Sequence, residues 1–397
     1  MADVDEAPDS ATKPHGGSAR RLPTGIPGLD SIANGGVPEG RATLVVGTSG
    51  TGKTILGLQF LAAGVREFGE KGVLVTFEEV PEDLVKNADS FGWELTKLAS
   101  EDSLTIVDAS PDPEESAEFD FDELLARIQQ AVARVGAKRV VLDSVGALFP
   151  QLRDPFTIRR GLRQLIEGLR PLRVTTIVTT ERSEDYGPVA RFGVEDYVVD
   201  GIVVLRHPLE RRVRSRTIEI LKLRGASHLG GEFPLTISAD RGIEVIPRPF
   251  FELKQTAPSE RVSTGNADLD ALCGGGYYKD SVVLISGASG TGKTLLGCEF
   301  IRAAVDSGEP CLFFSFEESR SQFFRNAHSW GIHLDEAADS GLLRLEFRRP
   351  ERILLEELLL DLRRIIDEFE PRRVVIDGLT ALERTSLPDA FREFSVA

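Results

Sequence analysis

Gly47-Thr48-Ser49-Gly50-Thr51-Gly52-Lys53-Thr54 places three glycines, an ammonium group and a hydroxyl in one octapeptide, after an apolar run and before an amphipathic one. That is the spacing of a phosphate-binding P-loop between a strand and a helix. The glycines let successive backbone N–H groups converge on one anion, and the helix that follows adds its positive end. In such a loop Lys53 reaches the β- and γ-phosphates of a nucleoside triphosphate, and Thr54 offers its hydroxyl to Mg²⁺. Ile55 completes the cradle. The pattern recurs as Gly287-Ala288-Ser289-Gly290-Thr291-Gly292-Lys293-Thr294, followed by Leu295. ATP and Mg²⁺ are therefore the expected ligands, bound twice.

Carboxylates stand where such a site needs them. Asp143 ends the apolar run Arg139–Asp143, and Asp377 ends Arg373–Asp377. A carboxylate at the C-terminal end of a parallel strand faces the ligand crevice, the Walker-B place for a Mg²⁺ ligand. Glu78-Glu79 and Glu317-Glu318 close the strand that follows each P-loop helix. Adjacent carboxylates there divide tasks, one polarising the attacking water or hydroxyl and the other orienting it or the metal shell. Glu78 and Glu317 are the expected bases, Glu79 and Glu318 their supports. The expected metal ligands are Thr54 and Asp143 in one copy and Thr294, Glu317 and Asp377 in the other.

The rest of the chain repeats with the loops. Thr24-Gly25, Leu29-Asp30 and Gly35-Gly36 match Thr264-Gly265, Leu269-Asp270 and Gly275-Gly276, and Asn87-Ala88 matches Asn326-Ala327. This is a tandem duplication of units each large enough to fold alone. Residues 1–20 read as a disordered tail, 21–247 as the first domain, 248–259 as a proline-marked linker and 260–397 as the second domain. Beyond Asp143 the first copy runs to Ile246, whereas only a short segment follows Asp377, so the second domain reads as truncated. An α/β sheet without its last strands would expose an unpaired edge, and the second half is expected to be the less stable.

Strands are expected at Thr43–Val46, Val73–Phe77, Leu104–Asp108, Val140–Asp143 and Val174–Thr179. Helices are expected at Lys53–Glu67, Glu82–Phe91, Phe121–Val135 and Phe156–Leu169. Their alternation predicts an α/β fold with a mostly parallel, helix-covered sheet, extended by antiparallel strands between Tyr197 and Val245.

Composition excludes other classes. The net charge of −16 disfavours non-specific duplex binding. Three cysteines form no disulfide framework and, with five histidines, no evident zinc motif, which fits a reducing cytoplasm. No apolar run reaches the roughly 18–20 residues of a membrane span. Two basic segments remain. Lys222-Leu223-Arg224-Gly225-Ala226-Ser227-His228 could reach a γ-phosphate on the next subunit of a ring, like an arginine finger. Arg211, Arg212, Arg214 and Arg216 form a stripe that could line a pore or touch single-stranded nucleic acid; without interleaved aromatics, ion pairs between subunits are the preferred reading.

With these residues in place the chain resembles the KaiC family of double-domain, RecA-superfamily ATPases and autokinases. The likeness rests on both P-loops, Phe77-Glu78-Glu79, Ser90-Phe91-Gly92-Trp93, Asp108 to Glu114, Thr180-Glu181-Arg182, Tyr186-Gly187-Pro188, Lys222 to Gly225 and Ser329-Trp330-Gly331. It implies tandem RecA-like domains in a hexameric double ring with ATP between subunits. It also implies an ATPase first tier, a Ser/Thr autokinase second tier, and clock or signalling partners of the KaiA and KaiB kind. Ser90 and Trp330 would lie near nucleotide. Lys222, Leu223, Arg224, Ser227 and His228 would reach the neighbour's ATP, with Asp240 joining them. The family's phosphate acceptors lie beyond Ala397, so slow hydrolysis without normal autophosphorylation is the expectation for this chain. A nucleotide-gated scaffold without essential turnover is the rival reading, and a DNA recombinase or helicase a weaker one; neither a nucleic-acid nor a membrane partner is expected.

Overall fold

The computed structural model describes residues 20–110, 119–151, 154–189, 198–210, 213–247, 258–349 and 355–385. The expected tail up to residue 19, linker residues 248–257, Arg211, Arg212 and the segment 111–118 lie outside them. The chain divides into two compact units, Met1–Pro247 and Arg248–Ala397.

The first unit is built on nine strands: β1 (Ala42–Gly47), β2 (Gly72–Thr76), β3 (Leu104–Asp108), β4 (Arg139–Asp143), β5 (Thr175–Glu181), β6 (Gly201–Arg206), β7 (Arg216–Leu223), β8 (Glu232–Ser238) and β9 (Gly242–Val245). They form one sheet in the order β9-β8-β7-β6-β1-β5-β4-β2-β3. From β6 to β3 all pairs are parallel. β7, β8 and β9 extend that sheet antiparallel. Helices α1 (Lys53–Phe68), α2 (Pro81–Asp89), α3 (Phe121–Val135) and α4 (Pro155–Leu169) connect the parallel strands.

The parallel strands are apolar on both faces because both are covered. Val140 and Leu142 of β4 join the core beneath α3 and α4, whereas Val141 joins the core beneath α1. Gly57 lets α1 lie on β4: a Cβ there would come within 2.8 Å of Val141 Cγ1. Helix boundaries follow local chemistry. The Asp120 carboxylate accepts from the Asp122 and Glu123 N–H groups at the start of α3, and Gly136 ends it at φ 71°. Asp154 caps α4 in the same way, with Pro155 at its first position.

Arg139, at the base of β4, is fully buried. It pairs with Glu70 at 2.8 Å and donates to the carbonyls of Pro23, Thr24 and Phe60. Its guanidinium lies over the Phe60 and Phe68 rings. The N-terminal segment, α1 and β4 are joined through this one side chain. Arg373 repeats the device with Glu309, Ser263 O and the Phe300 ring.

The second unit has β10 (Cys311–Ser315), β11 (Leu343–Phe347) and β12 (Arg373–Asp377) in a parallel sheet of order β11-β10-β12. Its helices include α5 (Lys293–Asp306), α6 (Arg320–Ser329), α7 (Asp335–Asp339) and α8 (Leu355–Phe369). Here the structure departs from expectation. The apolar segment Ser281–Gly287 before the second P-loop forms no strand, with Val282 99 % and Leu284 76 % exposed. The reason lies in sheet order. In the first unit β1 is held between β5 and β6, and β5 alone joins it to β4. Among the described residues the second unit has no counterpart of either strand, so the segment has nothing to pair with. The unpaired elements are thus the P-loop segment itself and, as expected, a sheet edge: β12, whose counterpart β4 is paired on both sides, is paired only with β10 among the described residues and leaves Val374 36 % exposed. Cys298 and Cys311 are buried in this unit, and burial pushes both thiols up to about 12. No helix among the described residues is long and apolar enough to cross a membrane.

Candidate nucleotide sites

Register aligns the chemistry of the first unit. Gly47 pairs across from Glu181 and Leu205, and Thr76 pairs across from Asp143. The P-loop, Glu181, Asp143 and the turn carrying Glu78 therefore share the C-terminal edge of the parallel sheet. The Phe77 N–H donates to the Asp143 carbonyl at 3.0 Å, tying that turn to the end of β4.

Within the loop, Gly50 and Gly52 take φ values of 76° and 101°, closed to most side chains. Gly47 is required for a different reason from the one the motif suggests. Its φ is ordinary, but a Cβ would stand 2.4 Å from Thr51 Oγ1 and 2.8 Å from Leu205 O. Thr51 Oγ1 donates to Thr48 O, and Lys53 Nζ donates to Gly47 O and Thr48 O, each at 3.0 Å. The ammonium group thus lies across the loop, bonded to carbonyls it can exchange for phosphate oxygens. Burial lowers the Lys53 pKa, against the pull of Glu181, Asp143 and Glu78. Ser49 is exposed at the loop tip, and Ile55 is half-buried against the core.

Asp143 is buried and accepts from Thr179 Oγ1 and from Thr54. Burial raises its pKa despite those bonds and the nearby Lys53. Glu78 is shifted upward as well, by desolvation first and then by Glu181 and Asp143. Desolvation, Asp143 and Asp83 raise Glu79. Several carboxylates thus crowd one lysine, an excess of negative charge that a divalent cation would relieve. Thr54 and Asp143 are hard oxygen donors in contact with each other, and that donor set fits Mg²⁺.

The second P-loop keeps the same form without its strand. Gly290 and Gly292 have φ values of 80° and 92°, and Lys293 Nζ donates to Gly287 O and Ala288 O, each at 2.9 Å. Thr291 Oγ1 donates to Ala288 O, Ser289 is exposed, and Leu295 packs on the core. Thr294 Oγ1 donates to Asp377 Oδ2 at 2.9 Å. The Glu pair separates here. Glu318 accepts from Asn326 Nδ2 at 2.9 Å, whereas exposed Glu317 lies against Gly378, where a Cβ would come within 2.7 Å of Glu317 Cγ. Desolvation raises Glu318.

The basic hairpin lies elsewhere. Leu223 pairs across from Gly201, and Gly201 from Thr43, so Lys222 to His228 sit at the opposite end of the sheet from this chain's own P-loop. Four residues of strand, roughly 13 Å, separate the two levels. Lys222 Nζ donates to Val199 O, Arg224 lies 4.0 Å from Asp200, Ser227 O accepts from Arg21, and His228 Nδ1 lies 3.1 Å from Leu229 O. Asp240 is not brought into this group. It stands in the turn between β8 and β9 at the P-loop end, where Ile237 lies against Gly52. Ser90 is exposed after α2 and bonds Asn87 O, and Trp330 is 39 % exposed after α6.

Sequence reasoning did not assign four residues that the fold places at the first site. Glu181 and Thr179 arrive from β5, a neighbour in the sheet but distant in the chain. Asp185 accepts from Thr48 Oγ1 at 2.8 Å. Arg216 donates to Gly50 O through Nε and Nη2 at 3.4 and 3.3 Å, so this member of the arginine stripe sits over the P-loop.

A family model described as "ATPase: KaiC" matches residues 22–249 and again residues 262–396. The circadian clock oscillator protein KaiC of Thermostichus vulcanus is 48 % identical over 399 positions, covering 100 % of this chain and 77 % of the relative. KaiC of Synechococcus elongatus is 48 % identical over 379, covering 95 % and 73 %. The circadian clock protein KaiC3 of Synechocystis is 47 % identical over 380, covering 95 % and 75 %. Two P-loops in RecA-like α/β units and these matches along the whole chain have one consequence: the chain belongs to the KaiC family.

Proposed function

We propose that the first unit hydrolyses ATP with Mg²⁺ and that the second carries the phosphoryl-transfer half of a KaiC-type Ser/Thr autokinase. The observation that carries this reading is the convergence of Lys53, the Thr54–Asp143 contact and Glu78 at one sheet edge. Backbone N–H groups from Gly50 to Thr54 hold the phosphates, and Lys53 leaves its loop carbonyls to neutralise them. Thr54 and Asp143 would hold Mg²⁺, which would supply positive charge to polarise and neutralise the terminal phosphates. Glu78 accepts hydrogen bonds from the attacking water and takes its proton, a role helped by the upward shift that burial first, and then its acidic neighbours, impose. In the second unit Lys293, Thr294, Asp377 and Glu317 supply the corresponding groups, with Glu317 facing a hydroxyl acceptor instead of water.

The opposite placement of the P-loop and the Lys222–His228 hairpin supports a closed head-to-tail ring, a hexamer in which each hairpin serves the next subunit's ATP. The clock roles in the names of the relatives support a place in circadian or related cytoplasmic signalling, with KaiA- or KaiB-like partners. Phosphate release by the purified full chain with Mg²⁺ and ATP tests the reading. Glu78→Gln should retain ATP binding and lose turnover. Turnover unchanged by Glu78→Gln overturns the assignment of the base.

A further inference from the structure

A second cluster of chemistry-bearing side chains lies in the second unit, apart from the residues that hold phosphate. His328 is on the last turn of α6, His333 follows in the connecting loop, and Asp335 opens α7. His328 Nε2 and Asp335 Oδ2 are 2.5 Å apart, and the two imidazole rings are 5.1 Å apart between centroids. One ligand atom from each of the three lies within 4.8 Å of the others.

The backbone holds these groups in place. Gly331, at φ 76°, ends α6, and the Ile332 N–H returns to Ala327 O at 2.9 Å. Burial then alternates: Ile332 and Leu334 are 2 % and 0 % exposed in the core, so His333 and Asp335 are turned outward between them. Two buried apolar anchors thus fix the two outward ligands, while α6 fixes His328. The first unit provides an internal comparison. Asp89, Glu94 and Thr96 stand at the matching places, and Asp89 caps Leu95 N and accepts from Thr96 Oγ1. That loop carries no imidazole, and Glu94, at φ 52°, takes a left-handed conformation that His333 does not.

We propose that His328, His333 and Asp335 form a binding site for a borderline divalent transition metal, with Zn²⁺ as the natural occupant. Two imidazoles and one carboxylate are a recurrent three-residue donor set for Zn²⁺, which leaves a fourth position for water or an external ligand. Tetrahedral coordination needs donor atoms about 3.3 Å apart. The His328–Asp335 pair opens slightly to reach that spacing, and His333 closes by rotating an exposed ring. The metal then takes the place of the hydrogen bond between His328 and Asp335. The site is independent of the P-loop donors, whose hard oxygen set selects Mg²⁺.

The test is a Zn²⁺ titration of the full chain in excess Mg²⁺ and ATP, followed by calorimetry. One Zn²⁺ per chain should bind, and His333→Ala or His328→Asn should weaken it at least about tenfold. Glu94→Ala, the first-unit counterpart, should leave it unchanged. Both histidines are exposed, and circular dichroism verifies that the variants fold. Ni²⁺ supplies an independent readout, because Trp330 lies between the two histidines in the chain. Ni²⁺ should quench indole emission in the parent and not in Trp330→Phe or His333→Ala. Equal Zn²⁺ binding by parent and His333→Ala, no saturable binding by the parent, or quenching that persists in Trp330→Phe would each overturn the proposal.

Discussion

The Thr294 hydroxyl donates to the Asp377 carboxylate at 2.9 Å, and in the first unit the Thr54 hydroxyl stands close enough to Asp143 to lower its pKa against the rise from burial. The first residue pair joins the start of α5 to the end of β12, and the second joins α1 to β4. In each unit the two oxygen donors expected to share one Mg²⁺ are held against each other. The second pair is kept although the strand behind its P-loop is unpaired, which shows that α5 and β12 alone suffice to position it.

The carboxylate excess makes the first site a source of instability that ligands relieve. Burial raises the Asp143 pKa. A group whose folded pKa is raised contributes stability that is present below its unfolded value and lost as pH rises through the folded one. Asp143→Asn should therefore raise the melting temperature of the nucleotide-free first unit, and by more at pH 8 than at pH 5. Each 1 kcal/mol corresponds to about 2–4 °C in a domain of this size. A gain that is the same at both pH values would exclude ionisation of Asp143 as the cause.

Arg139 bears on stability rather than chemistry. Arg139→Met removes the donor for three carbonyls and strands Glu70, so the first unit should lose about 3 kcal/mol in urea unfolding. A loss under about 0.5 kcal/mol, the level of an ordinary surface substitution, would contradict the picture of one side chain joining three elements.

Subunit complementation checks the trans role of the hairpin. Glu78→Gln and Arg224→Ala should each be inactive alone. Mixed in equal amounts and reassembled, they should regain activity at roughly a quarter of interfaces, where an intact base meets an intact neighbour. Mixtures no more active than either parent would place Arg224 outside the reaction.

Replacing Gly47 by Ala isolates the role of close approach. The added methyl must displace Thr51 or Leu205. ATP affinity should fall by tenfold or more while Gly69→Ala, where a Cβ meets nothing within 4 Å, should leave it unaltered. Equal effects would remove the steric argument.

Much of this was legible in the chain. Leu104–Asp108 and Phe121–Val135 form over the spans their patterns predict, and the other parallel strands shift by a residue or two at their ends. Those elements carry strong local signals: β-branched runs, Asp caps and glycine stops. The two P-loops and Asp143 were legible because their chemistry is written in consecutive residues. Glu181, Thr179 and Arg216 were not, because sheet order brings them in from distant positions. The segment Ser281–Gly287 carries a strand pattern too, and it forms none because among the described residues it has no sheet neighbour.

Equilibrium titration of the folded full chain with Mg²⁺ and labelled ATP is the most direct measurement of the central claim. Two classes of saturable binding should appear, the tighter abolished by Lys53→Ala and the weaker by Lys293→Ala, because only the first P-loop is backed by a paired strand. Absence of saturable uptake, or uptake unchanged when both lysines are replaced, would contradict it.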